Sequence, residues 1–532
     1  MQASSSRDEV PAGLLEDSEV RPSGSARPGK QSYGQILKSS VLIGGSSVLD
    51  IGLRIVRTKV MALLLGPTGI GLLGLYGSIS EVVRSLAGMG INNSGVQQIA
   101  EAVGTGNTRR IAITVTTLRR VALVLGVLGA LLLVIFCKPV SRLTFGDDRH
   151  ASAVALLALA VLFGEVSAAQ GALIQGMRRI SDLARMSVLS ALYGTLFSIP
   201  IVYIYGERGV VPSLVCVAAM SIVTSWWYAR KVKVERVSIN RREVTSQASG
   251  LLKLGVVFMA SGLMTMGAAY AVRIIVLRKL GVEAAGHFQS AYALGGLYAG
   301  FIVQAMVADF YPRLTAAAAT NDNLESNRLV NEQAQMGLLM AGPGVLATLS
   351  VAPFVIPLFY SASFEPAVEI LRWNCLGIML RVASWPMGFI LIAKGERGRF
   401  FWTEVFGNVS YVGLVWLCVQ SFGLTGTGVA FFGQYVLYWL LIYGVVRRVS
   451  GFRWTKANRQ TGLFFAFLVA GVFASWYLLP RMAAMPLGIA ATLLAGTYSV
   501  KTLCTLVPLE RLPAVVRRGI VFFRLAPANT DG

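Results

Sequence analysis

Charged and metal-binding residues are scarce in this chain. Asp, Glu, Lys and Arg make up 14% of its 532 residues, whereas about a quarter is typical of soluble domains. The chain has only two histidines, His150 and His287, and five scattered cysteines, so neither a zinc site nor a Cys–His nucleophile is expected. The nucleotide-binding pattern GxxxxGK[ST] is also missing, which argues against ATP hydrolysis. These absences predict a protein without a metal or nucleotide cofactor.

Long hydrophobic segments, by contrast, fill most of the chain, and hydrophobic residues make up 55% of it. Because a bilayer core requires roughly 20 apolar residues per helix, the sequence predicts an all-α polytopic membrane protein with about fourteen transmembrane helices. The predicted spans are 36–64, 69–92, 111–137, 151–175, 186–205, 210–230, 251–279, 286–310, 334–358, 366–392, 401–420, 426–446, 462–480 and 485–506.

Two stretches of the sequence recur later in the chain in similar form. At an offset of 215 positions, residues 37–71 match residues 252–286 at seven places, including Gly66/Gly281 and Gly71/Gly286. A second block matches at an offset of 219, for example at Gly176/Gly395. The repeat predicts two pseudo-symmetric six-helix bundles, followed by two extra helices. Because six is an even number, both bundles insert the same way round, and their two-fold axis is expected along the membrane normal.

The domain organisation follows from this repeat and from composition. Residues 1–32 are rich in Pro, Ser, Gly and charge and lack the apolar core of a cleaved signal peptide, which predicts a disordered cytoplasmic tail. The N-terminal bundle is expected at 33–232, a basic cytoplasmic linker at 233–249 and the C-terminal bundle at 250–450. Helices 13 and 14 are expected within 451–506, and a second cytoplasmic tail at 507–532.

The net charge of +22 is distributed unevenly between the loops. Lys and Arg concentrate in alternate loops, near 109–120, 178–185, 230–242, 394–399 and 447–459, whereas the loops at 359–365 and 421–427 have none. Positively charged loops remain cytoplasmic, so both termini are predicted to lie in the cytoplasm. The basic excess is therefore interpreted as a topology signal, with some attraction for anionic lipids, and no nucleic-acid partner is expected.

Ionisable side chains within the predicted helices mark the candidate site, since they are costly in hydrocarbon. At about 100° per residue, Asp50, Arg54 and Arg57 lie on one face of the first helix, and Lys59 points the opposite way. This stripe is either the cationic wall of an aqueous cavity or a self-neutralising Asp50–Arg54 pair with Arg57 and Lys59 reaching the interface. The additional cation favours the cavity.

Five further candidates lie within other predicted helices. Glu81 and Arg84 are one turn apart and could pair locally, while Arg273 and Arg381 lie in the second half. Glu165 has no charged neighbour on its own helix, so it is a candidate proton or sodium site. The five arginines are thus assigned to a translocation cavity, and the acids Asp50, Glu81 and Glu165 to charge tuning or ion coupling. In contrast, Arg278 and Glu404 lie near helix ends and are expected at the interface.

Three segments carry a family resemblance. KSSVLIGGSS (38–47), LGPTGIGLLGLY (65–76) and GMGINNSGVQQ (88–98) resemble bacterial O-antigen and oligosaccharide flippases of the Wzx type. These flippases form the polysaccharide transporter family of the multidrug/oligosaccharidyl-lipid/polysaccharide (MOP) superfamily. The resemblance covers about 33–450 and is clearest at 36–110.

The resemblance implies a non-enzymatic function in the bacterial inner membrane. It implies that the chain moves polyprenyl-diphosphate-linked oligosaccharide across this membrane by alternating access, for O-antigen, exopolysaccharide or capsule assembly. Members are expected to have a cationic cavity, and Arg54, Arg57, Arg84 and Arg273 are the matches by depth. Buried guanidinium groups would replace the hydration of the diphosphate. The implied partners are the lipid-linked glycan and membrane lipid, with a glycan polymerase and a chain-length regulator as further candidates.

Three alternatives stay open from the sequence. Fourteen helices are similar to the lipid II flippase branch, whereas most members of the polysaccharide transporter family have twelve. A cation-coupled multidrug exporter of the same superfamily would require a site rich in acids and aromatic residues, and coupling to H⁺ or Na⁺ is open for either transporter. A membrane glycan polymerase or ligase would require a large external loop, but the longest one here, 138–150, has about 13 residues.

Overall fold

The computed structural model describes residues 30–232, 241–305 and 310–506 of the chain, and within these ranges all regular structure is helical. Most of the two predicted tails and residues 233–240 of the predicted linker lie outside the described residues. The helices are α1 Lys30–Gly88, α2 Ile91–Gly104, α3 Thr108–Ile135, α4 Cys137–Phe145, α5 Ala151–Gly176, α6 Ile180–Tyr205, α7 Val210–Arg230, α8 Arg241–Leu280, α9 Val282–Ala305, α10 Tyr311–Ala319, α11 Asn323–Ser350, α12 Ala352–Phe359, α13 Ala367–Ala393, α14 Arg397–Phe422, α15 Gly426–Ser450, α16 Lys456–Leu478 and α17 Arg481–Leu506.

The two halves of the chain repeat the same order of helices. Gly66 breaks α1 with φ 61°, and Gly281, 215 positions later, separates α8 from α9 with φ 91°. The pair α3 and α4 recurs as α11 and α12 at the same offset. Glycine adopts this left-handed backbone without a Cβ clash, which explains why both breaks retain it. The predicted pseudo-symmetric bundles are thus confirmed, and α16 and α17 are the additional pair.

The second repeated block has a different register from the one in the sequence. The turn between α6 and α7 begins at Gly206 (φ 57°, ψ −136°), and the turn between α14 and α15 begins at Gly423 (φ 56°, ψ −134°). These equivalent glycines are 217 positions apart, so the sequence-derived offset of 219 is two residues too long. The helices α6 and α14 have equal lengths of 26 residues, which supports the shorter offset.

Glycines let the two halves approach each other closely beside these breaks. A Cβ on Gly286 of α9 would overlap the backbone carbonyl of Pro67 in α1, and a Cβ on Gly71 would overlap the carbonyl of Val282. Pro67 and Val282 are themselves equivalent by the offset of 215, so the contact is reciprocal. One turn further, Gly74 packs against its own equivalent, Gln289. The pseudo-two-fold axis therefore passes between α1 and α9 at this level.

The apolar surface of the described helices suits a membrane. Nine of these helices are long and apolar enough to cross a bilayer, or ten if α11 and α12, bent by 85°, form one span. Three of the nine cover 40, 50 and 54 residues and contain a break, which is consistent with fourteen crossings, but that number stays a prediction. On α3, Leu131 and Ile135 are 54% and 68% exposed, as lipid-facing side chains are.

Reporter fusions test the predicted orientation of the chain in the membrane. Fusions at 145, 207 and 362 should be external, and fusions at 105, 180 and 455 cytoplasmic, because the basic loops remain inside. Paired phosphatase and fluorescent-protein fusions at each position give the readout. A cytoplasmic signal at 145 together with an external signal at 180 would reverse the orientation.

Candidate functional site

A cavity of about 420 Å³ lies between the second part of α1, α2, α5 and α8. The side chain of Glu165 on α5 is only 3% exposed there, and its carboxylate lies 3.7 Å from Nε of Arg84. Asn92 of α2 donates a hydrogen bond of 3.3 Å to the same carboxylate. We refer to this space, which Glu81 also lines, as the N-half cavity. Glu165, which has no charged neighbour on its own helix, therefore has two polar partners from other helices.

Two glycines make room for this ion pair. A Cβ on Gly88 would lie 2.6 Å from Oε2 of Glu165, and a Cβ on Gly164 would lie 2.6 Å from Nε of Arg84. Gly88 is the first residue of the GMGINN segment, which also supplies Asn92. Arg84 pairs across helices with Glu165, while Glu81, one turn earlier on α1, is exposed in the same cavity. The segment that carries the family resemblance thus builds one wall of the N-half cavity.

A second cavity, of about 240 Å³, lies between α8, α13, α14 and α15, and we refer to it as the C-half cavity. Cζ of Arg381 lies 4.2 Å from the ring centroid of Trp385 and 5.5 Å from that of Tyr435. Glu404 accepts a hydrogen bond of 3.1 Å from the hydroxyl of Tyr438. Glu404 therefore lines this cavity, a contact that the sequence did not predict.

Arg273 lies at the edge of the C-half cavity. Its Nε donates a hydrogen bond of 2.9 Å to Oε1 of Gln289, and its Cζ lies 5.2 Å from the ring centroid of Tyr292, which lines the cavity. The two cavities adjoin along α8, where the neighbouring residues Thr265 and Met266 line one cavity each. Together they form a polar region on both sides of α8. Its charges are mixed, because both walls contain an acid and an arginine.

The stripe on the first part of α1 divides between two neighbours. Asp50 accepts hydrogen bonds from Arg54 at 2.9 Å and from Ser187 of α6 at 3.2 Å. Arg57 donates to Ser198 of α6 at 3.0 Å, in space that Gly194 leaves free. Asp50 and Arg57 are therefore bound within the N-terminal half.

Arg54 alone of this stripe reaches the other half. Its side chain is 62% exposed and lines a groove of about 110 Å³ with Leu294 of α9 and Phe359 and Tyr360 at the end of α12. The structure thus distributes the five predicted arginines over two cavities, one groove and one helix contact, and it does not bring them into a single cluster. The Asp50–Arg54 pair of the second interpretation forms, and Arg54 also lines the groove between the halves.

Sequence reasoning missed the aromatic residues of the C-half cavity. Phe431, Tyr435 and Tyr438 are spaced by four and three residues, so they share one face of α15. Such spacing inside a hydrophobic span is usual for lipid-facing or core residues, and only Gln434 beside them hinted at a polar surface. Among the residues that the structure describes, no three His, Cys, Asp or Glu side chains gather in a group that could hold a metal ion.

Comparison with known proteins places this geometry in a broader context. Residues 60–369 match the protein family described as "Polysaccharide biosynthesis protein". The lipid III flippase of Escherichia coli (strain K12) is 23% identical over 423 residues, which cover 77% of this chain and 98% of the relative.

Solved transporters share the fold. The lipid II flippase MurJ in an inward closed conformation superposes with a TM-score of 0.62 at 13% identity, over 88% of this chain and 99% of that one. An inward-facing multidrug resistance transporter of the MATE family, from the MOP superfamily, gives a TM-score of 0.61 at 18% identity, over 75% of this chain and 95% of that one. The fold is therefore that of the MOP superfamily transporters, which confirms the predicted fold class.

Proposed function

Because this chain belongs to the family of polysaccharide biosynthesis proteins and has the fold of MOP superfamily transporters, we propose that it is a lipid-linked oligosaccharide flippase. Its substrate is a polyprenyl-diphosphate-linked glycan, which it moves from the inner to the outer leaflet of the bacterial inner membrane. The similarity to a lipid III flippase over 98% of that protein's length supports this class of substrate. Assembly of O-antigen, exopolysaccharide or capsule is the proposed pathway, with a glycan polymerase and a chain-length regulator as proposed partners.

The observation that carries this proposal is the polar region on both sides of α8, between two apolar half-bundles. Guanidinium groups enter it from both halves, namely those of Arg84 and Arg381. A diphosphate loses its hydration in the bilayer interior, where bidentate contacts with Arg84 would replace it, while Arg381 would donate to the glycan. Arg54 in the inter-half groove and Arg273 at the cavity edge provide further positive charge, and the lipid tail stays outside between the halves.

Alternating access and ion coupling fit the same geometry. The reciprocal contact of Gly71 and Gly286 lies beside the pseudo-two-fold axis, so rocking of the halves around it would expose the polar region to either side of the membrane in turn. Glu165 is the proposed proton or sodium site, since its buried carboxylate has a neutral partner, Asn92, in addition to Arg84.

Two other transport functions have specific observations in their favour. The aromatic side chains around Glu404 would suit an organic cation, as in a multidrug exporter. However, Arg381 lies in the same cavity and would repel such a cation. A lipid II-type substrate is favoured by the superposition on MurJ over 99% of that chain.

A flipping assay in proteoliposomes tests the proposed function. The probe is undecaprenyl diphosphate carrying a fluorescently labelled N-acetylglucosamine, and dithionite added outside bleaches the accessible fraction. Vesicles with the protein should lose fluorescence beyond the outer-leaflet fraction, whereas protein-free vesicles and vesicles with labelled phosphatidylcholine should not. Efflux of tetraphenylphosphonium without flipping of the lipid-linked probe would contradict the proposal in favour of a drug exporter.

A further inference from the structure

The C-half cavity has an aromatic wall and a polar rim. Its lining includes the rings of Trp385, Tyr411 and Tyr435 and the polar side chains of Glu404, Asn408 and Gln434. A pyranose ring has a matching surface, with apolar C–H faces that pack on aromatic rings and a rim of hydroxyl groups that bond to carboxylate and amide groups. A diphosphate would meet the carboxylate of Glu404, and an organic cation would meet Arg381.

Two polar atoms in this cavity lack a hydrogen-bond partner among the residues that the structure describes. Nε of Arg381 and the hydroxyl of Tyr411 are buried without a hydrogen bond, although both residues line the cavity. An unsatisfied buried polar group is costly, typically about 1–3 kcal/mol. Ring hydroxyls of a sugar can both donate and accept, so one sugar can satisfy a guanidinium donor and a tyrosine hydroxyl together.

We propose that the C-half cavity binds a sugar ring of the transported glycan, an assignment that rests on the proposed function. Trp385 and Tyr435 supply the stacking surface, with Arg381 held against both rings. Tyr411 and Arg381 hydrogen-bond the ring hydroxyls. The diphosphate binds elsewhere, at the arginines outside this cavity.

Binding of two matched probes to the full-length protein in nanodiscs tests this assignment. The probes are geranylgeranyl diphosphate alone and geranylgeranyl diphosphate linked to N-acetylglucosamine, glucose or glucuronic acid, measured by calorimetry. At least one sugar should raise the affinity of the wild-type protein by about tenfold. Tyr411→Phe and Trp385→Leu should remove this gain and leave the affinity for the bare lipid diphosphate unchanged. Trp402→Leu, on the exposed surface of α14, is the control and should retain the gain.

The outcomes separate the two proposals. If the bare diphosphate binds but no sugar adds affinity, or if both cavity variants keep the gain, the sugar assignment fails while the proposed function stands. If the wild-type protein binds none of these probes, the proposed function fails and the assignment fails with it.

A different observation concerns the end of the molecule where α4 and α12 lie. Nζ of Lys59 in α1 donates a hydrogen bond of 2.6 Å to the carbonyl of Pro357 in α12. On the other side of the axis, Nη2 of Arg278 in α8 donates to the carbonyl of Arg142 in α4. Arg142 and Pro357 are 215 positions apart, so the two acceptors are equivalent in the repeat. Each contact joins the first helix of one half to the short helix of the other half.

Helix-end electrostatics explain both contacts. Each acceptor is among the last four carbonyls of its short helix, where the helix carries partial negative charge. The carbonyl of Arg142 also accepts a hydrogen bond from the backbone N–H of Gly146 at 3.1 Å. The donors are not equivalent residues, because the offset of 215 pairs Lys59 with Ile274, one turn before Arg278. The two halves thus make the same kind of contact with different residues. Thr144 of α4 also hydrogen-bonds Tyr270 of α8.

We infer that these contacts are two latches that hold the α4/α12 end closed until the halves rock apart. Two hydrogen bonds of 2.7 and 2.6 Å to Asp148 hold the side chain of Arg142, and they lower the pKa of that carboxyl. Because each latch crosses from one half to the other, opening this end requires both to break. A single remaining latch should therefore still slow the opening.

Labelling of a cysteine at Thr265, which is exposed in the C-half cavity, tests the latches. The five native cysteines are replaced by serine, and an impermeant maleimide is added to right-side-out or inverted vesicles. From the α4/α12 side, the double variant Lys59→Gln/Arg278→Gln should label at least about tenfold faster, as expected for the loss of two charged hydrogen bonds. Each single variant should label at an intermediate rate. If the double variant does not insert into the membrane, the rates of the single variants test the latches on their own.

Matched variants define the controls. Lys59→Arg and Arg278→Lys keep a cationic donor and should label slowly. Arg149→Gln removes an 89% exposed cation near the same end and should have no effect. Labelling of all latch variants at the wild-type rate, in protein of normal abundance, would show that these contacts do not close this end.

Discussion

Replacing Gly286 by alanine is expected to prevent the two halves from packing, so that little folded protein remains in the membrane. The added Cβ would overlap the backbone carbonyl of Pro67, and neither backbone can move away without shifting a helix. Overpacking at a tight contact typically costs about 1–3 kcal/mol, and here the overlap is with main chain, which cannot change rotamer. Membrane abundance and the thermal unfolding midpoint in detergent are the measurements.

The same helix offers a matched control. Gly296 also lies in α9, but open space surrounds the position where its Cβ would be, so Gly296→Ala should leave abundance and the unfolding midpoint close to the wild-type values. Gly71→Ala is the pseudo-symmetric counterpart and should resemble Gly286→Ala, because its Cβ would overlap the carbonyl of Val282. Equal stability of Gly286→Ala and Gly296→Ala would disprove the close contact between α1 and α9.

The repeat could be predicted from the sequence wherever both halves use the same residue for the same reason. Gly66 and Gly281 both occupy a left-handed break, so matching identical residues found the correct offset. At the end of α5 the left-handed position is Arg178 (φ 55°), and its equivalent after α13 is Gly395 (φ 71°). Identity matching therefore paired Gly395 with Gly176, a helical glycine that packs against Ile99. This substitution of arginine for glycine shifted the second register by two residues.

The residues of the candidate site were predictable only along single helices. The sequence placed Arg57 and Lys59 on different faces of α1. In the structure, Arg57 contacts Ser198 of α6 and Lys59 contacts Pro357 of α12. The sequence could not identify the partner helices, because no pattern in a single chain relates Arg84 to Glu165, which is 81 positions away. For the same reason Glu404 was assigned to the interface, although Tyr438 of a neighbouring helix binds it within a cavity.

The stripe on α1 leads to the second large effect. Arg54→Gln and Arg57→Gln are each expected to reduce export of the lipid-linked glycan by at least about tenfold, the loss expected when a charged hydrogen bond is removed. Arg54 faces the groove between the halves, where the diphosphate of the proposed substrate would pass, and Arg57 adds positive charge on the α6 side of α1. Lysine at either position should restore part of the activity, since it keeps the charge and loses the bidentate fork. Both proteins should remain inserted and abundant.

Two controls separate charge from structure. Ser198→Ala removes the partner of Arg57 but keeps its charge, so export should fall less than in Arg57→Gln if charge is what matters. Equal losses in these two variants would instead assign Arg57 a purely structural role. Lys59→Gln points away from the stripe, yet its bond to Pro357 makes it a latch variant and not a neutral control. Arg120→Gln, at an exposed position on α3, is the neutral control. If it reduced export as much as Arg54→Gln, the general loss of positive charge, and not the stripe on α1, would limit transport.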